Sequence, residues 1–190
     1  MDGFIPMIIT LLGMLLLLIT VYFLIIALFF KKAPQGFALI RTGIGGTKIS
    51  TTAIYVVPVF HQLEMMDMTI KQVRIELLDD ENLICQDDIR VDIKACFHVQ
   101  VGFKLEHIKS VAGRIGATNA SDPNKVQELF EANFTHSLKT VAKIFKFEEL
   151  LNHRDKFRIE LIKHIGVDLY GFLLADIAID YIEKSKPNNL

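Results

Sequence analysis

His136, His153 and His164 are the side chains in this sequence best suited to acid–base work or metal binding. All three fall on segments with helical spacing. No two are i, i+4 apart and there is no HExxH, so they read as surface or half-buried histidines rather than as metal ligands. Gly43-Ile44-Gly45-Gly46 has the glycine density of a phosphate loop. It lacks the GxxxxGK[ST] spacing and lies between two extended stretches, not before a helix, which favours a hairpin turn. No serine occupies a G-x-S-x-G elbow. Cys85 and Cys96 are eleven residues apart, with neither CxxC nor Cys/His ligand spacing. Two unpaired thiols fit a reducing compartment better than a disulfide scaffold. Asn119-Ala120-Ser121 and Asn133-Phe134-Thr135 match the glycosylation sequon, but the second is mid-helix. These residues predict no catalytic site, no cofactor and no metal.

The elements around them are arranged for a bilayer. Residues 4–30 contain no charge, and nineteen of these 27 are Leu, Ile, Val or Phe. Roughly 20 apolar residues span the hydrocarbon core, so Phe4, Ile8, Leu11, Leu15, Leu18, Phe23, Ile26 and Phe30 are read as membrane-spanning. A cleaved signal peptide needs a basic start, a shorter apolar core and a small-residue cleavage site, whereas this end carries Asp2 and finishes Phe29-Phe30-Lys31. Residues 1–3 would form a short extracytoplasmic end. Lys31, Lys32, Arg41 and Lys48 precede the first acid after the span, Glu64. The positive-inside rule then places residues 31–190 in the cytoplasm, on a single-pass protein of the cell (inner) membrane. The same four cations are candidates for the membrane surface, each contributing about 1 kcal/mol if close to anionic headgroups.

Of the 22 acids only Asp2 lies in the first thirty residues, which leaves 21 acids against 21 bases in the remainder. A neutral remainder argues against nucleic acid as a partner, because phosphate binding needs clustered positive charge. Its pattern is extended first and helical later. Residues 37–41 read as a strand and residues 42–47 as a turn. Residues 48–60 read as a second extended stretch, with Pro58 confining it to an edge or an end. The apolar run 53–60 is either a buried strand or a loop dipping into the inner leaflet beside the anchor. Residues 63–77 are extended again.

The clearest strand is residues 88–101, where Ile89, Val91, Ile93, Ala95, Phe97, Val99 and Val101 alternate with polar or small side chains. That period of two puts one face on a core and the other in water, in an antiparallel sheet. Asp88, Arg90, Asp92 and Lys94 on the wet face form a candidate side-by-side contact. Helices are expected at residues 105–115, from Asp122-Pro123 onward, and at residues 148–165, with a loop at 117–121 and Gly166 as a stop. A last strand covers residues 173–182. Strands, then helices, then a strand describe an α+β domain with helices on one face of an antiparallel-rich sheet.

Four blocks carry a resemblance. Residues 31–48, with Arg41-Thr42-Gly43-Ile44-Gly45-Gly46, look like the opening of bacterial flotillins, Ile44 standing where the family has an aromatic. Val57-Pro58-Val59-Phe60-His61, Asp87-Asp88-Ile89-Arg90-Val91-Asp92 and Asp176-Ile177-Ala178-Ile179-Asp180-Tyr181 are similar to the family's later blocks, in the same order. The match covers residues 31–183 and identifies the SPFH (band 7) superfamily, which includes flotillin, stomatin and prohibitin, with the flotillin branch the nearest. The turn residues Arg41, Gly43, Gly45 and Gly46 belong to the motif. The resemblance implies a non-catalytic, homo-oligomeric membrane scaffold that forms rings or cages and organises lipids and proteins. An NfeD-type membrane protein is an implied partner. A regulator or adaptor of a membrane protease or channel, as in stomatin- and prohibitin-like relatives, is the alternative. Family members continue into a long coiled-coil region, and residues 184–190 read as a linker toward it.

Overall fold

The computed structural model describes residues 4–185. The short end at residues 1–3 and most of the linker expected at residues 184–190 lie outside them. The chain divides between Glu64 and Met65 into two compact units.

The first unit begins with helix α1 (Phe4–Phe29), whose 26 residues span about 39 Å at 1.5 Å each. Its threonine hydroxyls return to the helix, Thr10 donating to the Met7 carbonyl and Thr20 to those of Leu16 and Leu17. The helix ends one residue before the expected span does. Phe30 opens strand β1 (Phe30–Lys32) instead, because β1 pairs antiparallel with β4 (Ala53–Tyr55), Phe30 opposite Tyr55 and Lys32 opposite Ala53. Between them run β2 (Phe37–Gly43) and β3 (Lys48–Ser50), an antiparallel hairpin with Ile40 opposite Ile49. Strand β5 (His61–Asp67) lies on the other side of β2. A small core of Leu39, Ile54 and Val56, with Ala33 and Leu63 packed on it, holds this unit.

The second unit is built on β8 (Arg90–Val101), central in a sheet of order β6-β8-β10-β9, where β6 is Lys71–Leu77, β9 is Asp168–Leu169 and β10 is Phe172–Lys184. The two-residue β7 (Leu83–Ile84) pairs with the start of β8. The named pairings are antiparallel. Val91, Ile93, Phe97, Val99 and Val101 are fully buried, as the alternation requires. Helices α2 (Leu105–Ile115), α3 (Ala117–Ser121), α4 (Pro123–Ala142), α5 (Phe147–Asn152) and α6 (Arg154–Ile165) follow. Asp122 caps α4 by accepting from the Asn124 amide, with Pro123 in the first turn. Phe134 of α4 stacks on Phe97 of β8 with ring centroids 4.4 Å apart, which fixes helix to sheet.

Strand β6 is an edge, and α4 seals it. The Gln127 side chain accepts from the Arg74 amide at 2.9 Å and donates to the Arg74 carbonyl at 2.7 Å, as a neighbouring strand would.

Several expectations need correction. Asp88 is not in β8. It sits at φ 58° in a turn closed by its amide on the Cys85 carbonyl. An aspartate tolerates that left-handed conformation, so its side-chain type cannot distinguish turn from strand. Residues 117–121 form a helical turn, with Ser121 and Asn119 bonded back to the carbonyls of Ala117 and Ile115. The helix expected at 148–165 is two, parted at His153, in a stretch of weak helix formers, Asn152-His153. In β10 the alternation is broken by register shifts between Leu174 and Asp176 and between Ile179 and Tyr181. These bulges re-phase the strand, so that Phe172, Leu174, Ile177 and Ile182 all point inward. Lys184 belongs to this strand rather than to a linker.

Candidate membrane interface

The end of α1 and the first unit form one structure. The Val56 amide donates to the Phe29 carbonyl at 2.9 Å, and the Phe29 and Tyr55 rings meet edge to face at 5.9 Å. Among the described side chains, Ile8, Leu11, Leu15, Leu18 and Phe23 are exposed, while Ile26 is half-buried near the ribbon. A helix apolar on every side and, among the described residues, uncovered along most of its length matches a bilayer rather than water.

The four cations expected at the surface divide. Lys31, Lys32 and Lys48 are exposed. Consecutive residues of a strand point to opposite faces, so Lys31 and Lys32 leave the ribbon on different sides. Arg41 is a correction. It is only 8% exposed and donates from Nη1 to the Tyr55 carbonyl at 2.9 Å, tying β2 to β4. Its guanidinium is spent on the fold rather than offered to headgroups.

The glycine-rich segment is a hairpin turn between β2 and β3, closed by the Gly46 amide on the Gly43 carbonyl at 3.0 Å. Gly43 is required where it is. Its φ is 137°, and a Cβ there would stand 2.1 Å from the Phe60 carbonyl oxygen. The close approach lets the Ile44 amide donate to that oxygen, at 3.3 Å. The turn at residues 57–60 is thereby joined to the turn at 43–46.

The apolar run 53–60 is neither wholly a strand nor wholly a loop. Ile54 and Val56 are buried in the small core. Beyond them the chain turns at Pro58, leaving Val59 85% and Phe60 55% exposed, beside Ile44 at 69%. Three large apolar side chains thus share one tip of the first unit.

The candidate lateral face on β8 is only partly assembled. Arg90, Asp92 and Lys94 are on one side of the strand, and Asp88 has left it. Lys94 reaches across to Glu76 of β6 at 2.9 Å, and this helix-free face carries a shallow depression of about 300 Å³ lined by Gln72, Arg74, Cys96, His98 and Asp180 among others. Neither thiol is poised for nucleophilic work. Burial, with the Asp87 charge adding to it, pushes Cys85 up to about 11, and burial raises Cys96 against the pull of Arg74. His136, His153 and His164 are exposed and lie apart on α4, at the α5–α6 break and in the last turn of α6.

One feature of the second unit escaped the sequence reading. In the β5–β6 connection Lys71, 5% exposed, donates to the carbonyls of Asp67 and Thr69 at 2.9 and 3.3 Å and pairs with the Asp67 carboxylate at 3.4 Å. Burial pushes the Asp67 carboxyl up, but the Thr69 hydrogen bonds and Lys71 outweigh this and hold it below its ordinary value.

An all-apolar uncovered helix leading into a small β unit, followed by a helix-backed antiparallel sheet, defines a membrane-associated α+β protein. Residues 31–183 match the SPFH domain / Band 7 family, and the chain belongs to that family. It is similar to the flotillin family inner membrane protein YqiK of Escherichia coli, at 27% identity over 174 residues, which are 87% of this chain and 31% of that protein. It is also similar to the flotillin family inner membrane protein sll1021 of Synechocystis, at 26% identity over 178 residues, 90% of this chain and 26% of that one. The chain therefore spans about a third or less of the length of these relatives.

Proposed function

We propose that this chain is a non-catalytic, flotillin-like scaffold of the inner membrane. It self-associates through residues 31–183 and organises lipids and proteins at the cytoplasmic face. The observation that carries the reading is the continuity of α1 with the first unit, through the Val56–Phe29 hydrogen bond and the Phe29–Tyr55 contact. A first unit joined to its anchor without a flexible linker is kept at the bilayer surface, where an assembly of copies would border a lipid patch. The names of the two relatives support the membrane assignment. The excess of Lys31, Lys32 and Lys48 over Asp2 supports an outside N-terminus and a cytoplasmic domain. The tip of Ile44, Val59 and Phe60 is a lipid contact, because exposed apolar side chains on a unit anchored at the bilayer gain by entering it. An NfeD-type membrane protein is a partner implied by the flotillin resemblance.

Arg90, Asp92 and Lys94 remain the proposed lateral contact, now without Asp88. The test is exchange of charge on that face. Arg90→Glu should reduce the assembled fraction of the full chain in nanodiscs, and an unchanged mass would exclude this face. Regulation of a membrane protease or channel is the second reading, and a stoichiometric partner recovered with the chain from native membranes would favour it.

A further inference from the structure

We infer that His61 is a positioning residue of the apolar tip, and that only its neutral form with the proton on Nε2 can make both of its bonds there. The inference rests on the reading of Ile44, Val59 and Phe60 as a lipid contact. The Val57 amide donates to His61 Nδ1 at 3.1 Å, so Nδ1 must carry a lone pair. His61 Nε2 lies 3.1 Å from the Ile44 carbonyl oxygen, which only accepts, so Nε2 must carry the proton. One ring thus ties the turn that presents Val59 and Phe60 to the turn that presents Ile44. The two turns are joined again by the Ile44 amide on the Phe60 carbonyl, and the second turn is closed by the Phe60 and His61 amides on the Val57 carbonyl.

The arrangement has a built-in sensitivity. A second proton on Nδ1 turns the acceptor of the Val57 amide into a donor, and two donors then face each other. The ring must move off the Val57 amide, and the turn that presents Val59 and Phe60 loses its internal clamp, while the Ile44 amide still bonds the Phe60 carbonyl. Both turns, residues 43–47 and 56–60, are free of charged side chains. The charged residues on the adjoining strands are Lys31 and Lys32 of β1, Arg41 of β2, Lys48 of β3, and Glu64 and Asp67 of β5; Arg41 is committed to the Tyr55 carbonyl and Asp67 to Lys71. Among the described residues no acid pairs with His61, so nothing there compensates an imidazolium. The tip is therefore assembled at neutral pH and loosened in acid, and lipid contact follows it.

The experiment places an environment-sensitive fluorophore on Val59→Cys in the full chain, reconstituted in vesicles of mixed zwitterionic and anionic phospholipid. Native Cys85 and Cys96 are buried and are not labelled. Quenching by bromine-tagged acyl chains reports insertion, and hydrogen exchange at the Val57 amide reports the clamp. At about pH 8 the label should be quenched; at about pH 5 quenching should fall and the protection of the Val57 amide, with its exchange referred to the intrinsic rate at each pH, should drop roughly five- to tenfold. His61→Ala should show the acid behaviour at both pH values, with the exchange of the β8 core unchanged. Equal quenching in both proteins at both pH values would overturn the clamp and leave the lipid contact standing. A wild-type label unquenched at every pH would overturn the lipid contact and, with it, the role given to His61. If His61→Ala does not fold, the wild-type titration decides alone, since a Val57 protection factor that does not change with pH contradicts the proposal.

Discussion

From Met7 to Ile25 every large apolar side chain of α1 is between 44% and 67% exposed, while Val91, Ile93, Phe97, Val99 and Val101 of β8 are at 0%. The apolar side chains of the two segments are of the same types, Val, Ile and Phe among them. What separates them is the company those residues keep. In α1 no charged position interrupts the run and its two threonines bond back to the helix, so there is no wet face to define an inside, and the helix needs an apolar solvent all round. In β8 a polar or small residue at every second position supplies the wet face, and the apolar half closes on α4. Apolar content alone therefore does not tell core from membrane; its period does.

This contrast can be broken from either side. The largest effect is expected for Phe97→Ala, which empties the stack on Phe134 and should cost the second unit about 3–5 kcal/mol. Unfolding followed by near-ultraviolet dichroism should register the loss, with membrane retention unchanged. Leu16→Arg is the converse. A charge at the centre of α1 should weaken insertion by about 3 kcal/mol, seen as extraction by alkaline carbonate, and leave the unfolding of the second unit alone. Gly43→Ala tests the joint between the turns. With a Cβ 2.1 Å from the Phe60 carbonyl, a loss of about 2 kcal/mol from the first unit is expected, read by hydrogen exchange at Leu39 and Ile40.

Asp67→Asn should destabilise the second unit by about 1–2 kcal/mol at neutral pH. The Asp67 carboxyl is depressed in the folded state, so its contribution is complete above its unfolded value near pH 4 and is lost as pH falls through the lower folded value. Wild type and variant should therefore converge in acid, and a gap that persisted there would contradict the assignment. The smallest effect on stability belongs to Val59→Ser combined with Phe60→Ser. Both side chains are exposed, so a change within about 0.5 kcal/mol is expected, together with a loss of vesicle contact by the tip.

The same contrast explains which features could be read from residues. The alternation from Val91 to Val101 and the Asp122-Pro123 helix start were legible because local pattern and tertiary packing agree there. Arg41 looked like one more cation near the membrane, and only the strand pairing shows its guanidinium spent on the Tyr55 carbonyl. The bulges of β10 were hidden for a similar reason, since Asp176-Ile177-Ala178-Ile179-Asp180 alternates in sequence while the register slips on either side of it. In the candidate interface, the apolar character of residues 53–60 was plain. That Ile54 and Val56 go inward while Val59 and Phe60 go outward depends on Pro58 and on His61, seventeen residues from the Ile44 carbonyl it reaches.

Self-association of residues 31–183 at the membrane is the central claim. It is tested most directly by the mass of the full 21.6 kDa chain released from native membranes in lipid nanodiscs. A uniform assembly of many copies, reduced by Arg90→Glu, is the predicted result. A monomer in every preparation would contradict the scaffold and move the adaptor reading to first place.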